Sequence, residues 1–202
     1  MIVSTPFNMY PDAIFLDKFP KMKTINDYKM HHPEGAIIHY TAGRQEQSGE
    51  AAIQHAIEQG YCYFFINQAG MVYQQFDLDR YGQHAGLSKC PVTGRTNVSK
   101  YYVGIEIACA GYLENGKTWY GEKVPSARKR ANDKGEFQIY TVAQEKALLE
   151  LCTWLCLGGS NPEYFFGHDE VTNRKLDPGA SLSMTMNDFR IKLKEIVDGI
   201  GK

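Results

Sequence analysis

Short strand-forming runs alternate with helical periodicities along this chain, and that alternation is what most narrows the folds open to it. AIIHYT (36–41) is β-branched and aromatic and stops at Ala42-Gly43. YFFINQAGMVYQQF (63–76) reads as two strands about a turn at Ala69-Gly70, and YYVGIEIACAG (101–111) as a further strand ended by Gly111. Elsewhere the period becomes helical. Ser48 can cap a helix through AAIQHAIEQ, with Gly60 just past its end. Thr141 and Gln144 form a capping box at the head of VAQEKALLELCTWLCL, where Leu148, Leu151, Cys152 and Leu155 recur at helical spacing up to Gly158-Gly159. A last helix follows Thr185, with Phe189, Leu193, Ile196 and Val197 on one face. The order β, α, β-hairpin, β, α, β, α predicts an α/β fold with a central mixed β-sheet flanked by helices and with functional residues at the strand ends.

A chain of 202 residues suits one domain spanning residues 1–202. A hydrophobic content of 43% and an aromatic content of 12% exclude a disordered chain. The balance of 22 basic against 23 acidic residues does not furnish the basic surface of a nucleic-acid binder, so no nucleic-acid partner is expected. The N-terminal MIVSTPFNMYPDAIFLDKF has no basic stretch ahead of an apolar core, and no apolar run reaches the roughly 20 residues of a membrane span. The expectation is a monomer, cytoplasmic as synthesised, with no membrane partner. Five cysteines without a CxxC pair read as reduced packing thiols rather than a disulfide framework. Residues 112–140 turn polar and predict a surface excursion with a short hairpin, in which RKR (128–130) is a solvated loop.

The stretch GHDEVTNRKLDPG (167–179) gathers ionisable residues around a turn. A catalytic zinc takes about three protein ligands and keeps a position open for water. His168 and Asp177, nine residues apart across the turn, are two candidate ligands, and His39 at the end of its strand is a third. Each has an ordinary reading as well: a lone histidine is more often a hydrogen-bonded core or surface residue, and Asp-Pro-Gly alone is a common turn. His31 and His32 are adjacent and read as loop residues, and His55 as helix surface. Glu106, between Ile105 and Ile107, points away from its apolar neighbours and toward a possible cleft. Its ordinary reading is an edge-strand salt bridge, and that of Lys175 a surface charge. Cys62 paired with a nearby histidine would make a covalent nucleophile instead of a metal site.

Taken in order, IIHYTAG (37–43), YCYFFINQAGMVYQ (61–74), QHAG (83–86), VGIEIACAG (103–111) and GHDEVTNRKLDPG resemble successive motifs of the type 2 N-acetylmuramoyl-L-alanine amidases. These zinc enzymes include phage lysozyme-type and cytosolic muropeptide amidases and share a fold with peptidoglycan recognition proteins. The resemblance covers residues 35 to 180 or so. It implies that His39, His168 and Asp177 hold Zn2+, where some members have Cys at the last position. It further implies that Glu106 and Lys175 are the catalytic pair and that His84 of QHAG lines the substrate cleft. The chemistry is coherent: zinc lowers the pKa of water to about 7, a carboxylate takes its proton, and an ammonium stabilises the developing oxyanion. The implied substrate is peptidoglycan or a muropeptide, cut between the lactyl group of N-acetylmuramic acid and L-alanine. A single-domain endolysin, released to the wall by a separate pore-forming protein, is the favoured reading. A cytosolic anhydro-muropeptide recycling amidase is the alternative, as is a noncatalytic recognition module, although such modules tend to lack a ligand. Cys62 stands where some relatives carry a tyrosine, and the loop from His168 to Asp177 is one residue shorter than in the cytosolic branch that has Asp.

Overall fold

The computed structural model describes residues 9–15, 32–44, 55, 63–75, 77–78 and 81–201. Its centre is a six-stranded mixed sheet of β1 (Ile14–Phe15), β2 (Gly35–Tyr40), β3 (Phe64–Ile66), β4 (Val72–Gln74), β5 (Tyr102–Ile107) and β9 (Phe165–Gly167), in the spatial order β1-β4-β3-β5-β2-β9. Only β3 and β4 pair antiparallel; the other four pairings are parallel. The β3–β4 turn is held by the Asn67 side chain, whose Oδ1 accepts from the amides of Ala69 and Met71 at 3.0 and 2.9 Å. The strand expected over 101–111 leaves the ladder after Ile107. Its next amides find other acceptors, Ile66 O for Ala108 and Gln138 Oε1 for Ala110.

Two long helices, α1 (Val142–Leu157) and α3 (Met186–Ile200), cover one face of this sheet. At the head of α1, Thr141 Oγ1 accepts from the Gln144 amide and Gln144 Oε1 accepts from the Thr141 amide. Gln144 Nε2 also donates to Ala108 O at 2.8 Å, which fixes the helix start against the end of β5. Leu148, Leu151, Cys152 and Leu155 of α1, with Phe189 and Leu193 of α3, meet Ala36, Ile38, Val103, Ile105 and Phe165 in one core. Each fully buried Leu, Ile, Val or Phe side chain among them contributes about 1.5–3 kcal/mol. The opposite face carries a smaller cluster of Ile37, Tyr102 and Phe166 covered by Ala85, Cys90, Val98 and Val171. The helix expected after Ser48 lies outside the described residues except for His55, which is helical and exposed.

Residues 112–140 are more ordered than a hairpin on a loop. They form a three-stranded antiparallel sheet in the order β6-β8-β7, with β6 Tyr112–Leu113, β7 Ala127–Arg128 and β8 Glu136–Gln138. The RKR run is not a solvated loop. Arg128 donates to Leu182 O at 2.9 Å and Arg130 to Leu182 O at 2.7 Å and Met184 O at 2.5 Å, so two of its three charges tie the small sheet to the segment before α3. The Leu182 and Met184 carbonyls there supply acceptors that composition alone could not reveal. Cys90, Cys109, Cys152 and Cys156 are buried free thiols, and Cys62 lies outside the described residues. Among the described residues no helix is long and apolar enough to cross a membrane.

Candidate metal centre

Strand alternation decides which residues can form a site. In β2, Ala36 and Ile38 face the helices, while Ile37 and His39 face away; in β5, Val103, Ile105 and Ile107 face the helices, while Tyr102, Gly104 and Glu106 face away. The parallel register sets His39 directly beside Glu106. The chain leaves β9 at Gly167 and turns at once into a single-turn helix, α2 (His168–Val171), which places His168 at the same sheet end. Gly167 permits the return of the chain: a Cβ there would sit 2.7 Å from Pro178 Cδ and 2.3 Å from Asp169 Oδ1. The Asp177–Pro178 peptide is cis, and Asp177 O accepts from the Asp169 amide at 2.9 Å.

These elements bring three donor atoms into mutual contact. His39 Nδ1 lies 2.9 Å from His168 Nδ1 and 3.0 Å from Asp177 Oδ2, and His168 Nδ1 lies 2.9 Å from the same carboxylate oxygen. All three residues are buried. Burial pushes the Asp177 carboxyl up, but the two imidazoles against it more than reverse this and hold it well below the usual carboxylate range. Burial above all lowers the pKa of His39, so its imidazole is neutral at neutral pH.

The far sides of the rings fix the tautomers. His84 Nε2 meets Tyr102 O at 2.8 Å, and a carbonyl only accepts, so this nitrogen carries the proton. Burial first, and His39 next, push the pKa of His84 well down, so the ring is neutral and its Nδ1 must accept. His39 Nε2, 3.0 Å away, is then the donor, and the lone pair of His39 Nδ1 is left facing Asp177 and His168. His168 Nε2 lies 3.4 Å from Ala85 O, a second backbone acceptor on the far side of a ring. Three contacts of 2.9–3.0 Å therefore have at most one ring proton among them. A cation at the centre satisfies all three lone pairs at once. Donors of a tetrahedral zinc with bonds of about 2.0–2.1 Å stand about 3.3 Å apart, within a few tenths of an ångström of this triangle. The buried N, N, O donor set fits a zinc ion.

Glu106 borders the centre. Its Oε2 is buried and, among the described residues, has no hydrogen-bond partner. Burial, and then the Asp177 charge, raise its pKa to about 8, against a lowering by Lys175. Lys175 is exposed on the loop two residues before Asp177. His84 is only partly exposed at the cleft, with both ring nitrogens engaged by protein atoms. It lies flat against β5 because residue 104 is glycine; a Cβ there would come within 2.6 Å of His84 Cγ. Tyr63 completes the support, its hydroxyl accepting from the Gly82 amide at 2.9 Å and its ring 6.2 Å from that of His84. Sequence reading missed this layer. The glycine inside VGIEI was the available signal, since a glycine within a strand marks a close approach; the carbonyl of Tyr102 left none.

Residues 29–180 match the family model described as N-acetylmuramoyl-L-alanine amidase, three quarters of the chain. The chain belongs to this family. Family membership makes it a hydrolase of the N-acetylmuramoyl-L-alanine amidase class, and the donor triad is the place where its metal can bind. Solved amidases share the fold. A selenomethionine derivative of AmpD is 16% identical with a TM-score of 0.55, covering 91% of this chain and 95% of its own. The amidase LysC from Clostridium intestinale URNW is 17% identical with a TM-score of 0.56, covering 92% and 99%. AmiD from E. coli, solved with anhydro-N-acetylmuramic acid-L-Ala-D-gamma-Glu-L-Lys, is 20% identical with a TM-score of 0.55; the match covers 74% of this chain and 55% of that longer one. No curated protein sequence matches the chain.

Proposed function

We propose that this chain, as a one-domain amidase, hydrolyses the amide between N-acetylmuramic acid and L-alanine in intact peptidoglycan, as an endolysin does, with zinc held by His39, His168 and Asp177. The observation that carries the reading is the set of three buried donor atoms within 3.0 Å of one another, two imidazole nitrogens and one carboxylate oxygen, beside the Glu106 carboxyl, whose buried Oε2 has no hydrogen-bond partner among the described residues. Zinc bound there supplies Lewis acidity and brings the pKa of a coordinated water to about 7. Glu106, as the carboxylate, takes the proton of the water that adds to the amide carbon and hands it on to the departing L-alanine nitrogen. Lys175, exposed beside the donors, offers its ammonium to the carbonyl oxygen as it becomes negative. His84 keeps Nε2–H of His39 engaged, so that Nδ1 stays a lone-pair donor.

Mass spectrometry of digests separates the substrate readings. Incubation with intact sacculi is expected to release free stem peptides that begin with L-alanine and to leave glycan strands uncut. Faster turnover of soluble anhydro-muropeptides than of sacculi would favour the recycling role instead, and cleavage within the glycan or the peptide would remove the amidase assignment.

A further inference from the structure

β2 ends at Tyr40, and residues 41–44 carry the chain onward from the same sheet end that holds the donor triad. Two aromatic residues between β6 and β7 dock on this segment. Trp119 Nε1 donates to Ala42 O at 2.6 Å, and the Tyr120 hydroxyl donates to Gly43 O at 3.2 Å. Their rings meet edge to face with centroids 5.3 Å apart, and the Arg44 guanidinium lies over the Tyr120 ring at 5.3 Å from its centroid. Yet Trp119 is 71% exposed. Its one polar atom is bound to backbone, so what it shows to solvent is apolar ring held in one orientation. An indole that is exposed and yet fixed by its own hydrogen bond and by a neighbouring ring offers a ligand a preset apolar face. Its anchor, Ala42, is three residues along the chain from His39, within about 10 Å, at the carboxyl end of parallel strands where ligands of α/β sheets bind.

We propose that Trp119, braced by Tyr120 and Arg44, is a subsite for the sugar backbone of the substrate and holds a glycan residue neighbouring the muramic acid whose peptide is cut. The axial C–H groups of a pyranose form an apolar face, and the electron-rich face of an indole attracts it without any charge. A stem-peptide carboxylate is the less suited occupant of the indole itself, whose face is electron-rich and uncharged. The inference rests on the amidase reading above and deepens it: the polymer, not the free muropeptide, is the substrate that uses this surface.

The test uses zinc-loaded full-length protein and two ligands. Isothermal titration with peptide-free glycan strands of alternating N-acetylglucosamine and N-acetylmuramic acid is expected to show binding that Trp119→Ala weakens about tenfold. The ratio of kcat/KM on sacculi to kcat/KM on a monomeric muropeptide is expected to fall by a similar factor, through KM, with zinc content unchanged. Trp119→Leu, which keeps apolar bulk without the π face, gives the same comparison should the alanine variant fail to fold. Absence of glycan binding by the wild type, or equal losses on both substrates, would overturn the subsite. Glycan binding by a wild type that cleaves neither substrate would sink the amidase reading and leave the subsite standing.

Discussion

The two faces of the central sheet are built from the same strands to opposite ends. On the helix-covered face, Ala36, Ile38, Val103, Ile105, Ile107 and Phe165 are buried against α1 and α3 without an ionisable group among them. On the other face the same strands carry His39, Glu106 and a glycine that admits His84. One residue in two thus serves stability, and the next is free to serve chemistry. The burden is unequal: the helix face gains free energy from each residue it buries, whereas the site face also holds buried polar groups that must find partners in one another, in the Tyr102 and Ala85 carbonyls and, for the three donor atoms, in a cation that could bind there.

The sharpest break between the faces is expected on removing a ligand. Asp177→Ala should abolish stoichiometric zinc, measured by atomic emission, and with it amidase turnover to the detection limit. Leu151→Ala, on the helix face, should cost about 2–5 kcal/mol in chemical denaturation while the folded protein keeps its zinc and its turnover. If Leu151→Ala emptied the metal centre as thoroughly as Asp177→Ala, the two faces would not be separable. Next in size, Glu106→Gln should keep fold and zinc and lower kcat roughly 100 to 10,000-fold, because the amide preserves shape and removes the proton acceptor. Wild-type turnover in that variant would return Glu106 to a structural role.

How much of this was legible in the sequence follows the range of the interactions. The capping box at Thr141 and Gln144 and the strand alternation around Glu106 are local, and the structure shows them where the sequence pattern places them. The convergence of His39, His168 and Asp177 spans 138 residues: their chemistry names them as candidate ligands, but only the family resemblance joins the three, since nothing local in IIHYT calls for a metal. Arg128 and Arg130 were misread because their acceptors are backbone carbonyls some 50 residues away. The resemblance names His84 for the cleft, but its hold on His39 escaped for a similar reason: its partners are a ring 45 residues before it and a carbonyl 18 residues after it.

The support layer gives the third prediction. Truncating His84 frees Nε2–H of His39 and lets the ring rotate, without touching any donor atom. His84→Ala should therefore weaken zinc binding about 10 to 100-fold, read by competition with a chromophoric chelator. His84→Gln, able to accept from His39, should recover part of the loss. Equal affinities across wild type and both variants would show that the ligand needs no such support.

The smallest effect expected is a pH dependence confined to the site face. In the chelator-treated protein the Glu106 carboxyl has a folded-state pKa of about 8 against an ordinary value of 4.5, raised first by burial and then by Asp177. Folded chains thus hold this proton more tightly than unfolded ones. The stability it brings is complete below the unfolded value and is lost as pH rises through about 8. Asp177 has the opposite sign: its depressed pKa gives stability present above the ordinary carboxylate value of 3.8 and lost only as pH falls well below it. The two windows do not overlap, and Glu106→Gln removes the upper one alone. Asp169, raised to about 7 chiefly by burial, titrates in both proteins and cancels in their difference. The metal-free wild type should lose Tm relative to metal-free Glu106→Gln between pH 5 and 8.5, by roughly 2–8 °C if the group contributes on the order of 1–2 kcal/mol. Val103→Ala, on the helix face of the same strand, should lower Tm by an amount that does not vary over this range, since no ionisable group is lost with it. Parallel curves for wild type and Glu106→Gln would mean that the carboxyl is solvated in the metal-free fold, and its burial beside the donors would have to be given up.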